Sequence, residues 1–169
     1  MWVFGTSSVG KNTFINRIQN DDELTDILGW CGRKIAICKR SIDFPGDLGM
    51  PSIVKARKLI VDDTIKLLNN SDIVLIKWQY VDSSCETLQC LKKLLPNEKH
   101  RIILLTANRD IQIKRLNKKD WWRERGISDA SKLLEYENKM VASFINDLGN
   151  EFKITTIDSS SEIYKVISD

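Results

Sequence analysis

Trp2-Val3-Phe4-Gly5-Thr6-Ser7-Ser8-Val9-Gly10-Lys11-Asn12-Thr13-Phe14-Ile15 is the stretch that decides how the chain folds. Trp2 to Phe4 are a short apolar run suited to a buried strand, while Phe14, Ile15 and Ile18 recur at helical spacing. Between them, Gly5 to Lys11 fit glycine-x-x-x-x-glycine-lysine, so the run predicts a strand, a phosphate-binding loop and a helix. A loop that wraps a triphosphate turns several backbone N–H groups inward, and Gly5 and Gly10 permit backbone angles and a close approach that a Cβ would block. The helix beginning near Lys11 adds its positive N-terminal dipole, and the lysine ammonium can follow a phosphoryl group as it transfers. Gly5, Thr6, Ser7, Ser8, Val9, Gly10, Lys11, Asn12 and Thr13 are therefore the expected nucleotide-binding residues. The hydroxyl that usually follows the lysine is replaced by Asn12 and comes one position later, on Thr13. An amide is a poor magnesium ligand, which predicts a metal held mainly through water and a carboxylate elsewhere.

The 169 residues suit one domain spanning 1–169, large enough for a sheet covered on both faces. Hydrophobic content of 42% and charged content of 29% are those of a globular protein, and the net charge of +3 does not argue for nucleic acid. No apolar run approaches bilayer-spanning length and no charged-then-apolar leader precedes the first strand, so the expectation is a cytoplasmic protein with no membrane partner. Cys31, Cys38, Cys85 and Cys90 show no metal-binding spacing, which predicts reduced, mostly buried thiols. His100, between Lys99 and Arg101, is expected as a solvated turn residue.

Further along, Asp21 to Trp30 predicts a helix end and a loop, and Lys34 to Cys38 a short strand. Residues Arg40 to Pro51 hold two of the three prolines and are expected to be neither helix nor central strand. Because ligands bind at the C-terminal ends of strands in open α/β sheets, Arg40, Asp43 and Asp47 are site candidates; the alternative is an ordinary polar connection. Ser52 to Asn69 predicts an amphipathic helix and Ile73 to Ile76 a strand buried on both faces. That strand ends in Lys77 and Gln79, with the nearest carboxylate at Asp82. Gln79 is thereby a candidate acceptor contact. Ser84 to Leu95 predicts a helix stopped by Pro96, Ile102 to Leu105 a strand, and the run to Leu116 a short helix with a basic side. Lys118, Lys119, Arg123 and Arg125 continue that basic character around Trp121 and Trp122, for which packing is the expected role. A long helix from Ser128 to Leu148 closed by Gly149, a strand from Phe152 to Ile157, and a terminal helix with a Ser159/Glu162 capping box complete the pattern. Alternating strands and helices predict an α/β three-layer sandwich of about five mostly parallel strands with helices on both faces.

The chain resembles the P-loop nucleoside and nucleotide kinases, the group of adenylate kinase and its small-molecule and polynucleotide kinase relatives. Gly10-Lys11-Asn12-Thr13 is similar to their glycine-lysine-x-threonine, and Leu105-Thr106-Ala107 through Asp110 to Arg115-Leu116 to their strand exit and lid approach. Ile157-Asp158-Ser159-Ser160 is similar to their final strand and turn near the adenine. The resemblance implies transfer of phosphate from ATP, with Mg2+, to a nucleotide, nucleoside or similar small acceptor. Nucleic acid enters only if that acceptor is a polynucleotide end. It implies a basic lid at 114–127, with Arg115, Arg123 and Arg125 able to bridge phosphate oxygens in a bidentate fork. Lys11, Arg115 and Arg123 would stabilise the moving charge, Asp43 would act as base for a hydroxyl acceptor, Arg40, Asp47 and Gln79 would contact the acceptor, and Thr13 with Asp43 would meet the metal.

Val9 to Ile18 also resembles the first motif of small GTPases, and Asp43-Phe44-Pro45-Gly46 their switch motif. Against this, Ala107-Asn108-Arg109-Asp110 keeps only the final aspartate of the guanine-reading motif. A non-catalytic nucleotide-binding module is the third alternative.

Overall fold

The computed structural model describes residues 1–42, 50–78, 85–124, 126–161 and 164–168. The fold is α/β, with helices and a mostly parallel six-strand sheet where about five strands were expected. The chain divides into two compact units, one of Met1–Val3 with Asn12–Arg101 and one of Phe4–Lys11 with Ile102–Asp169.

In the first unit the strand order is β2-β3-β1, with β1 at Trp2–Phe4, β2 at Ile35–Ile37 and β3 at Ile73–Lys77. The strands are parallel, pairing Trp2 with Ile76 and Ala36 with Val74. The unbroken apolar run of β3 fits burial on both faces, and Val74, Leu75 and Ile76 are buried. Helix α1 (Lys11–Arg17) sends Phe14 and Ile15 into the core, joined by Ile18 just beyond its end.

Three expectations about this unit are corrected. Asp22–Ile27 is a helix of its own, α2, rather than a loop, because the Asp21 carboxylate accepts from the Leu24 N–H at 2.9 Å and caps it. Lys39–Ile42 forms a four-residue helix, α3, inside the stretch read as helix-free. There the Ser41 hydroxyl donates to the Cys38 carbonyl at 2.6 Å and accepts from the Lys77 N–H at 2.9 Å, so a side chain supplies bonds the prolines do not forbid. Pro51 falls in the first turn of α4 (Met50–Leu68), where its missing N–H leaves no bond unmade. Finally, His100 is half-buried, with Nε2 2.9 Å from the Leu95 carbonyl beyond helix α5 (Glu86–Leu94).

All four cysteines are free, but only Cys38 and Cys85 are buried; Cys31 and Cys90 are exposed. Burial pushes the Cys38 thiol up.

In the second unit β4 (Arg101–Thr106), β5 (Lys153–Asp158) and β6 (Lys165–Ser168) follow one another. Strand β6 runs antiparallel to β5, pairing Val166 with Ile157, and replaces the expected terminal helix. The Ser159/Glu162 spacing matches a capping box, yet the Ser159 N–H donates to the Thr106 carbonyl at 2.8 Å and its hydroxyl is engaged as well. Helices α6 (Arg109–Leu116), α7 (Trp121–Glu124) and α8 (Ala130–Gly149) complete the unit. Gly149 is the last residue of α8 rather than its cap, which is Asn150 in a right-handed conformation. Leu116, Trp122, Ala130 and Leu134 form one buried cluster, and the Trp122 indole N–H donates to the Leu116 carbonyl at 3.0 Å. Trp122 is thus a packing residue, as expected.

Among the described residues no helix is long and apolar enough to cross a membrane.

Asp21 carries a testable consequence. Its carboxyl is held below the usual carboxylate range chiefly by the Leu24 N–H; burial opposes this, and the Arg17 guanidinium adds to the lowering. A depressed folded pKa contributes stability above the unfolded value of about 4 that is lost as pH falls through it. Asp21→Ala is expected to cost about 1 kcal/mol at neutral pH, and the deficit to shrink on acidification below about pH 4. Chemical denaturation of both proteins at neutral and acid pH measures it.

Candidate functional site

The loop from Gly5 to Lys11, which the sequence predicts to bind phosphate, belongs wholly to the second unit, as do the side chains that hold it. Its backbone takes positive φ at Gly5 (138°), Ser8 (60°) and Gly10 (108°), and the Val9 N–H turns back to the Thr6 carbonyl at 3.5 Å. A Cβ on Gly5 would lie 2.6 Å from the Leu105 carbonyl oxygen of β4, so only glycine fits where the loop leaves β1. At Gly10 the nearest atoms to such a Cβ are Ser159 Oγ at 3.7 Å and Arg115 Nη1 at 3.8 Å, so there the backbone angle alone demands glycine.

Two cations answer the loop's carbonyl dipoles. The Lys11 ammonium donates to Gly5 O at 2.6 Å and Thr6 O at 2.8 Å. Arg115, reaching from the last turn of α6, places Nη1 at 3.4 Å from Ser8 O and 3.3 Å from Val9 O, while Nη2 donates to Ser159 O at 3.0 Å. The Ser159 hydroxyl also meets the carbonyls of Val9 and Thr106. Hydroxyls on the loop are held from the helices: Thr6 Oγ1 donates to Gln112 Oε1 at 2.6 Å, and Ser7 donates from its N–H at 2.6 Å and its hydroxyl at 2.5 Å to the Glu137 carboxylate. Gln112 is fixed in turn by donating to the Ala107 carbonyl at 2.7 Å. The Ser8 hydroxyl is buried and has no partner among the described residues.

A cavity of about 470 Å³ lies against the start of this loop, bounded by Gly5, Thr6, β4 and residues of α6 and α8 including Gln112 and Asn138.

The structure thus gathers Gly5 to Lys11 and Arg115 at one place. Arg123 is on α7, exposed, pairing with Asp120 at 2.8 Å and lying 4.6 Å over the Trp122 ring; no hydrogen bond joins it to the loop among the described residues. In the first unit, Asn12 and Thr13 are exposed on α1 and Arg40 is exposed on α3. Asp43, Asp47, Gln79 and Arg125 lie outside the described residues. No group of three or more acidic, histidine or cysteine side chains forms a metal site among the described residues.

Sequence patterns missed Gln112, Glu137 and Ser159. For the first two a signal existed. Gln112 shares the buried side of α6 with Leu116, and Glu137 lies in the buried stripe Leu134, Glu137, Val141, Leu148 of α8. A polar group at a core position marks a built contact rather than packing.

No family model and no curated protein matches the chain. Among solved structures, shikimate kinase from Acinetobacter baumannii in complex with shikimate aligns at a TM-score of 0.51 and 12% identity, over 95% of this chain and 83% of that one. The chain has a P-loop kinase fold. Deoxyadenosine kinase from M. mycoides also aligns with it, at a TM-score of 0.49 and 17% identity over 96% of this chain and 92% of that one with dCTP bound. The same enzyme with bound dATP aligns at 0.47 and 16%, over the same shares. At these identities the likeness is one of fold.

The two loop glycines differ in what they oppose, which gives a graded expectation. Gly5→Ala drives a Cβ into a main-chain oxygen at a positive φ and should cost about 3 kcal/mol or more. Gly10→Ala meets no close backbone atom and should cost about 1–2 kcal/mol. Thermal denaturation of the two variants tests the order; equal losses would contradict it.

Proposed function

We propose that the chain is an ATP-dependent phosphotransferase acting on a nucleotide, nucleoside or similar small acceptor. The observation that carries this is the loop itself: positive-φ turns at Gly5, Ser8 and Gly10, Lys11 at the head of α1, and the Arg115 guanidinium beside the Ser8 and Val9 carbonyls. The P-loop kinase fold shared with shikimate kinase, a structure solved with shikimate, supports a small acceptor.

In this proposal ATP arrives as its magnesium complex, and main-chain amides from Ser8 onward donate to its phosphate oxygens. Lys11 leaves the Gly5 and Thr6 carbonyls for phosphate oxygens, exchanging two neutral acceptors for charged ones. Arg115, already half-buried at the loop, neutralises charge that spreads over the equatorial oxygens as the phosphoryl group moves. Thr13 and Asp43 would hold the metal, since Mg2+ keeps most of its ligands as water and phosphate oxygens and needs few from the protein. Asp43 is the base for a hydroxyl acceptor, with Arg40, Asp47 and Gln79 as acceptor contacts. These four assignments and the closing of 114–127 as a lid rest on the sequence alone. Arg123, paired with Asp120 and Trp122, would have to exchange both partners to join the phosphates.

Arg115→Ala should lower kcat/KM for ATP by about a thousandfold or more, and Lys11→Ala by at least as much. ATP consumption with a panel of nucleosides, nucleotides and small hydroxy acids measures it. Wild-type turnover in either variant overturns that residue's role. Nucleotide binding without turnover in the presence of every acceptor would favour a non-catalytic module.

A further inference from the structure

We propose that Glu137 is a positioning residue of the phosphate-binding loop, gripping Ser7 by its main-chain N–H and its hydroxyl so that the amides after it face the nucleotide. This rests on the nucleotide-binding role proposed above. Glu137 is only 3% exposed and occupies a position of α8 whose neighbours on the same stripe, Leu134 and Val141, are apolar. An ionised carboxylate there is costly unless charge-assisted hydrogen bonds compensate it, and the two short bonds from Ser7, at 2.6 and 2.5 Å, are of that kind.

The grip falls at the residue where direction is set. Ser8 follows in a left-handed conformation, and the Val9 N–H then closes back on Thr6, so the chain reverses within four residues. In so tight a reversal the orientation of the Ser7 peptide plane decides to which side the next N–H groups point. Gln112 holds the preceding residue, but only through the Thr6 hydroxyl, which leaves the Ser7 plane free. Glu137 alone among these contacts bonds a main-chain N–H of the loop's crest.

The test is ATP binding to the full chain by calorimetry, with melting temperatures in parallel, for wild type, Glu137→Ala, Glu137→Gln, Ser7→Ala and the Glu137→Ala/Ser7→Ala pair. Glu137→Ala should weaken ATP by about tenfold or more, since small displacements of positioning groups are amplified in affinity and rate. Glu137→Gln retains volume and one acceptor and should weaken it less. Ser7→Ala should cost little once Glu137 is already alanine, because the two act as one unit. A lower melting temperature with unchanged ATP affinity would mean Glu137 only supports the fold, and tighter ATP binding would mean that it competes with phosphate; either overturns the proposal. Should Glu137→Ala fail to fold, wild-type affinity in both Glu137→Gln and Ser7→Ala overturns it equally. If wild type binds no triphosphate, the nucleotide-binding role falls and this inference with it; if wild type binds and the variants do too, only the inference falls.

Discussion

A main chain that turns several N–H groups toward one point must leave its carbonyls facing the other way, and those carbonyls need partners. This constraint organises the loop from Gly5 to Lys11. Four of its carbonyls have cations or hydroxyls against them: Gly5 and Thr6 meet Lys11, Ser8 and Val9 meet Arg115, and Val9 meets Ser159 as well. The left-handed and glycine-only angles of the loop persist because bonds of this kind over-determine them.

The same contacts give the loop an electrostatic logic. Lys11 and Arg115 are both held against the loop by neutral carbonyl dipoles. Such bonds are strong enough to hold a side chain in position and weak enough to be exchanged for a charged oxygen. In the proposed function each cation would therefore need little rearrangement to meet a phosphate, which is the physical content of preorganisation.

Much of this was legible in the residues. The run from Trp2 to Ile15 gave strand, loop and helix because apolar periodicity switches from buried strand to helical spacing across two glycines, a local signal that tertiary contacts only reinforce. The buried strands β3 and β4 were readable for the same reason. What escaped were features decided by distant partners. Ser159 with Glu162 carries the local signature of a helix start, but the Ser159 N–H is taken by Thr106, more than fifty positions earlier, and the chain continues as the antiparallel β6. Asp21 looked like loop polarity until its carboxylate was seen on the Leu24 N–H, and Ser41 created α3 through bonds to Cys38 and Lys77 that no propensity encodes. Within the site, Lys11 and Arg115 were visible from their motif, whereas Gln112 and Glu137 announced themselves only as polar breaks in apolar stripes.

Those breaks bear on how this sequence can be altered. A hydrocarbon put in place of the acid in the apolar stripe of α8 would gain packing area but strand the Ser7 N–H and hydroxyl without the acceptor they now share. The interior of this helix is thus tied to the turn of a loop more than a hundred residues away, and neither can be repacked without the other.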